Sequence, residues 1–151
     1  MRKTLDTNIC SYILRKHPTL MLEKFRSLDR QQLWLSAVVA AELRFGVAKL
    51  GVPKFASAVE SWLSGFDVQP WPLSATHTYA SVRATLEKNG QIIGSMDLMI
   101  AAHALAEDSV LITNNAKEFG LATGRVFGHL IVQGINAQKF QWGLWVCACE
   151  L

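Results

Sequence analysis

Three carboxylates and two amides are the residues whose types and spacing could do chemistry in this chain: Asp6, Glu42, Asp97, Asn114 and Asn115. They come from separate stretches, LDTNIC, VVAAELRFG, GSMDLMI and LITNN. All offer oxygen ligands, with no accompanying histidine or thiolate, and such sets favour the hard ions Mg2+ or Mn2+ over zinc. Clustered carboxylates repel one another and stay ionised at neutral pH mainly when a cation neutralises them. The chemistry that uses such a site is phosphoryl transfer, in which metal ions polarise the phosphate, activate water and stabilise the leaving oxygen, often as a pair about 3.5–4 Å apart. Each acid also has an ordinary structural role open to it. Asp6 can cap a helix, Glu42 can be a solvated helix acid, and Asp97 can be a favourable acid in a first helical turn. Their joint placement is what points to a site.

That placement depends on the elements between them. Thr4 to Asp6 reads as a short strand, more polar at Arg2 and Lys3 than a central strand should be, and Thr7 or Asn8 can cap the helix that follows. Leu20, Met21, Leu22, Phe25 and Leu28 mark a second helix after Pro18. QQLWLSAVV is apolar and β-rich and reads as a buried strand. AAELRFGVAKLG continues as a helix closed by Gly51, with Pro53 just beyond. Phe55 to Leu63 is amphipathic, and FDVQPWP is a short extended stretch broken by its prolines. Ser74 can cap a helix that runs through Leu86 and ends at Asn89-Gly90. Ser95 can cap MDLMIAAHALAE, a helix apolar almost all round and therefore central, and SVLITNN returns to strand. Strands alternating with helices predict an α/β domain with a mostly parallel sheet. In such a sheet ligands collect outside the carboxyl ends of the strands, where Asp6, Glu42, Asp97 and the Asn114–Asn115 pair all fall.

The chain has 151 residues, half of them hydrophobic and 18% charged, which suits one globular domain with a sizeable core. A net charge of +3 is compatible with a polyanionic partner without arguing for one. No apolar run reaches membrane-spanning length and the first residues lack a signal-peptide core, so a cytoplasmic location is expected. Cys10, Cys147 and Cys149 are odd in number and lack zinc-ligand spacing, and they read as reduced thiols with no shared role.

LDTNICSYILR, SAVVAAELRFGVAKL and GQIIGSMDLMIAAHALAEDSVLITNNAKEF, in that order from about Leu5 to Phe119, resemble a PIN-domain ribonuclease of the VapC toxin type. The resemblance implies a PIN-like three-layer α/β/α sandwich over residues 1–119. It also implies a Mg2+- or Mn2+-dependent endoribonuclease toxin, usually dimeric, inhibited by a cognate VapB-type antitoxin and meeting operator DNA only through it. The implied substrate is RNA, a transfer RNA and in enteric relatives the initiator species, cut to leave a 5′-phosphate. Carried across by motif, Asp6 and Asp97 are the metal-binding acids and Glu42 the acid of AELRFG. The remaining position falls to Asn115 or Glu118. Asn8, with Thr7, completes the DTN motif and is expected to fix Asp6 by hydrogen bonding, with Thr113 acting similarly. The segment 120–151 departs from the family's short ending. RVFGHLIV can supply a last edge strand, and GLWVCACEL is an apolar tail.

Outside the acids, His103 reads as a packed or supporting histidine, and Trp34, Trp62 and Trp71 as core or interface anchors. Arg15, Lys16, Arg83 and Lys88 fit an RNA-binding edge or a solvated surface, and Arg44 a phosphate contact or a salt bridge. Two other functions compete with the nuclease. A catalytically impaired PIN-fold protein would act only as an RNA- or antitoxin-binding module. A receiver-like phosphoacceptor domain would need an acidic pair at the first strand and a lysine near the last, which LDTN and LITNN do not supply.

Overall fold

The computed structural model describes residues 2–15, 19–113, 115, 137–139 and 145–147. Strands β1 (Lys3–Leu5), β2 (Leu33–Ser36), β3 (Asp67–Gln69) and β4 (Val110–Ile112) form a four-stranded sheet in the order β3-β2-β1-β4. Every pairing in it is parallel: Thr4 lies opposite both Trp34 and Leu111, and Leu35 opposite Val68. Parallel neighbours need crossover connections. Helices α1 (Thr7–Leu14), α2 (Thr19–Arg26), α3 (Ala37–Leu50), α4 (Pro53–Leu63), α5 (Leu73–Lys88) and α6 (Ser95–Ala106) supply them. Two further short strands, β5 (Ala137–Lys139) and β6 (Trp145–Cys147), pair antiparallel with each other. RVFGHLIV, the boundary near residue 119, Glu118 and most of the apolar tail lie outside the described residues.

The core explains the strand composition. All four residues of β2 are buried, and α6 is buried at Leu98 and from Ile100 to Ala104, as a nearly all-apolar helix must be. Trp34 is fully buried and donates its indole N–H to Ser109 Oγ at 3.1 Å. The basic start of β1 also has a physical reason. Arg2 lies 5.4 Å over the Trp34 ring and pairs with Asp67 at 3.1 Å and Glu107 at 3.8 Å. It therefore closes the amino end of the sheet without entering the core. Trp62 and Trp71 pack half-buried against the core, and Trp71 Nε1 donates to Met99 O.

Several boundaries differ from the sequence reading, each for a local reason. The β-rich run QQLWLSAVV is strand only as far as Ser36, whose Oγ accepts from Val38 N–H at 3.2 Å and starts α3. The cap of α1 is Asp6, not Thr7 or Asn8. Pro72 and Gly94, not Ser74 and Ser95, occupy the capping positions of α5 and α6, so both serines lie inside their helices. The extended FDVQ stretch joins the sheet as its edge strand, ending just before Pro70. Gly51 closes α3 in the left-handed region at φ +66°, as expected.

Because Trp34 fills the space between sheet and α6, Trp34→Ala is expected to cost about 3–5 kcal/mol of stability. Urea unfolding measures this, and a loss below about 1 kcal/mol would mean that the tryptophan is not the core anchor described.

Candidate functional site

The site is built outward from Asp6, at the carboxyl end of β1. Its backbone N–H donates to Ile112 O at 3.0 Å, tying it to the end of β4. Its carboxylate caps α1, with Oδ1 accepting from Ile9 N–H at 2.7 Å. Oδ2 accepts from Thr113 Oγ1, which in turn accepts from Asn115 N–H at 2.9 Å. One carboxylate therefore both caps α1 and holds Thr113. Each carboxylate oxygen carries two lone pairs, so each keeps one after these bonds. Asp6 is 1% exposed, and a carboxylate so deeply buried is expensive to ionise.

Glu42 comes from the second turn of α3, half-buried, and its Oε2 accepts from Thr7 Oγ1 in the first turn of α1. Asp97 stands in the first turn of α6, half-buried, against the capping Gly94. A Cβ on Gly94 would lie 3.0 Å from Asp97 Oδ2, so the absence of a side chain there leaves the carboxylate its place. The acids feel one another. Burial pushes Asp6 up to about 7 from its ordinary 3.8. The hydrogen bonds from Thr113 and Ile9 hold it down, and the charges of Asp97 and Glu42 push it further up.

The donor set fits a hard divalent cation. The donors are oxygens, Asp6 is destabilised as an anion by burial and by its two acidic neighbours, and an ion would reverse both penalties. Among the described residues no three His, Cys, Asp or Glu side chains gather closely enough to hold an ion by themselves. An ion held here would therefore take one or two of these carboxylates and complete its shell with waters and substrate phosphate oxygens, as Mg2+ commonly does.

Of the sequence-derived residues, Asp6, Glu42, Asp97, Thr113 and Asn115 reach one edge of the fold. Thr113 binds Asp6 as expected. Asn8 is exposed in the first turn of α1, and the hydrogen bonds to the Asp6 carboxylate come from Ile9 and Thr113 instead. Thr7 as the partner of Glu42, and Gly94 as the seat of Asp97, were missed in sequence. The T of DTN and the G before SMD were their only local traces. Among the cations, Arg44 makes a bidentate pair with Glu60 at 2.7 and 2.8 Å, and Arg83 pairs with Glu87 at 2.8 Å beside Tyr79. Salt bridges thus account for both. Beside Glu42 a groove of about 580 Å3 opens between α1, α3 and α4, lined by Leu14, Arg15, Leu43, Val47, Phe55 and others.

Residues 3–121 match the PIN domain. Ribonuclease VapC2 of Rickettsia felis is 39% identical over 117 residues, which cover 76% of this chain and 87% of that protein. The tRNA(fMet)-specific endonuclease VapC of Shigella flexneri is 37% identical over 117 residues, with the same two shares. Among solved structures, VapBC2 of Rickettsia felis bound to a promoter DNA fragment superposes with a TM-score of 0.78 at 34% identity, covering 90% of this chain and 100% of that one. DNA-bound VapBC of Salmonella typhimurium gives 0.78 at 28% identity, covering 89% of this chain and 98% of that one.

The raised Asp6 has a thermodynamic consequence. With its folded value near 7 and an ordinary value of 3.8, the unfolded chain loses this proton first as pH rises. The contribution is therefore present below the ordinary value, is lost as pH climbs toward neutrality, and stays lost above it. In chelator at about pH 8, Asp6→Asn is expected to be more stable than the parent chain by on the order of a few kcal/mol, with the gap closing toward about pH 4. Urea unfolding across that range checks it; a pH-independent difference contradicts it.

Proposed function

The chain belongs to the PIN-domain family, and on that premise we propose that it is a metal-dependent endoribonuclease toxin of the VapC kind, held inactive by a VapB-type antitoxin. The observation that carries this reading is the buried Asp6 carboxylate, locked by Ile9 and Thr113 and raised by Asp97 and Glu42 at the carboxyl edge of a parallel sheet. Asp6 and Asp97 would hold Mg2+ or Mn2+. When bound, the ion supplies phosphate polarisation and a water acidic enough to yield hydroxide at neutral pH. Glu42, oriented by Thr7, would complete the site and take a proton from the attacking water. Thr113 keeps the Asp6 rotamer fixed, and Asn115 keeps Thr113 fixed. The fourth position is assigned to Asn115, whose side chain would offer an amide oxygen, with Glu118 as the other candidate. Attack by water at phosphorus leaves the 5′-phosphate on the product.

The substrate class rests on the relatives. A protein 37% identical is named for initiator tRNA, and transfer RNA is the substrate we assign here. It is met in the cytoplasm, and no helix among the described residues is long and apolar enough to cross a membrane. The solved relatives are toxin–antitoxin complexes on DNA, which supports a partner antitoxin that brings this chain to its operator. The groove beside Glu42, lined in part by the exposed Leu50 and Phe55, supports docking of an apolar antitoxin segment next to the acids. A homodimer is assigned with the family. A second reading, a PIN-fold module that binds RNA or antitoxin without cutting, is favoured by one observation, the amide of Asn115 where an acid would strengthen the site.

Antitoxin-free protein incubated with total transfer RNA and Mg2+ or Mn2+ is expected to give discrete cleavage that chelator abolishes. Asp6→Asn and Asp97→Asn should each lose at least about 100-fold in rate, the upper end of what even an outer hydrogen-bond partner is worth to a metal site. Thr113→Val, which removes only the hydroxyl that orients Asp6, should lose about 10–100-fold with the fold retained by circular dichroism. Full activity in Asp6→Asn overturns the assignment, and absence of cleavage by the folded parent chain transfers it to the binding-only reading.

A further inference from the structure

His103 is buried in α6 at 1% exposure, six positions beyond Asp97 and away from the acids, and the chemistry above does not use it. Its ring packs edge-on against Trp34 with centroids 4.7 Å apart. Its Nδ1 lies 2.9 Å from Ser36 Oγ, on a residue 67 positions away in the chain. Ser36 Oγ already accepts the Val38 N–H that caps α3. Ser36 Oγ and His103 Nδ1 share one buried hydrogen bond, and the Ser36 oxygen takes part in it while also accepting from Val38 N–H. Burial, with the charge of Arg2 adding, pushes His103 down to about 4, in keeping with a neutral ring. The hydrogen-bonded chain Val38 N–H, Ser36 Oγ and His103 Nδ1 joins the start of α3 to the body of α6. Glu42 is carried by the next turn of α3, and Asp97 by the first turn of α6.

Resting on the nuclease reading above, we infer that His103 is a positioning residue that sets the Glu42–Asp97 spacing by fixing the Ser36 cap of α3. A ring that only filled space would be replaceable by phenylalanine. A ring hydrogen-bonded to Ser36 is not, whereas asparagine can return a polar partner, oxygen or NH2, close to where Nδ1 stood.

The test compares His103→Phe, His103→Asn and Ser36→Ala with the parent chain by amide exchange, Mn2+ binding and steady-state cleavage of transfer RNA. In the Phe and Ala variants, exchange over residues 37–42 should quicken by about tenfold or more while α2 stays unchanged. Mn2+ binding should weaken and kcat fall by about 10–100-fold, with KM within a factor of about three. The Asn variant should recover most of both, and Ser36→Ala with His103→Phe combined should be no worse than either alone, because they interrupt one relay. If His103→Phe does not fold, Ser36→Ala carries the same comparison. Parent-like exchange, Mn2+ binding and kcat in folded Phe or Ala variants overturn the inference, as does faster exchange spread equally into α2. If the parent chain itself neither binds Mn2+ nor cleaves RNA, the nuclease reading fails and this inference falls with it. If the parent does both and the variants match it, only this inference falls.

Discussion

The Asp6 carboxylate is where three parts of the chain meet. One oxygen receives the N–H of Ile9 and so starts α1, the other receives the hydroxyl of Thr113 beyond β4, and the backbone N–H closes the β1–β4 pairing on Ile112. The constraint this creates is electrostatic. Two hydrogen bonds favour the anion, while full burial and two neighbouring acids oppose it, and the opposition prevails. A fold that needed only a helix cap would meet the requirement with serine or asparagine at no such cost. That cost is one a bound cation, as proposed above, would offset.

The sheet order gives that carboxylate its company. β1 lies inside the sheet, flanked by β2 and β4, so the segments leaving the carboxyl ends of three strands converge around Asp6. α3 leaves β2 directly through the Ser36 cap and brings Glu42 within reach of Thr7. α6 leads into β4 through a short turn and must run back against it, which returns its first turn, with Asp97, to the same edge. Helix N-termini favour negative charge there, and Asp97 stands in the first turn of α6 at that end.

Much of this was legible in sequence because acids at strand ends and helix starts have few other reasons to recur in register. The alternation of strands and helices, the central apolar α6 and the Gly51 and Gly90 stops follow from local patterning that packing reinforces. The cap positions were harder to read. Thr7, Ser74 and Ser95 have capping chemistry but stand inside their helices, where Asp6, Pro72 and Gly94 precede them. Val38 and Val39 have strand preferences that the Ser36 cap overrides. The contacts Thr7–Glu42 and His103–Ser36 join residues far apart in the chain, and no periodicity announces such pairs.

The central claim is that Asp6 is an acid held ready for a cation, and its own titration tests that most directly. Carboxyl-labelled protein followed by NMR should show Asp6 titrating near neutrality without metal and markedly lower once Mg2+ is added. An Asp6 that titrates in the same place with and without Mg2+ would contradict the claim, because the ion would then be bound elsewhere or not at all.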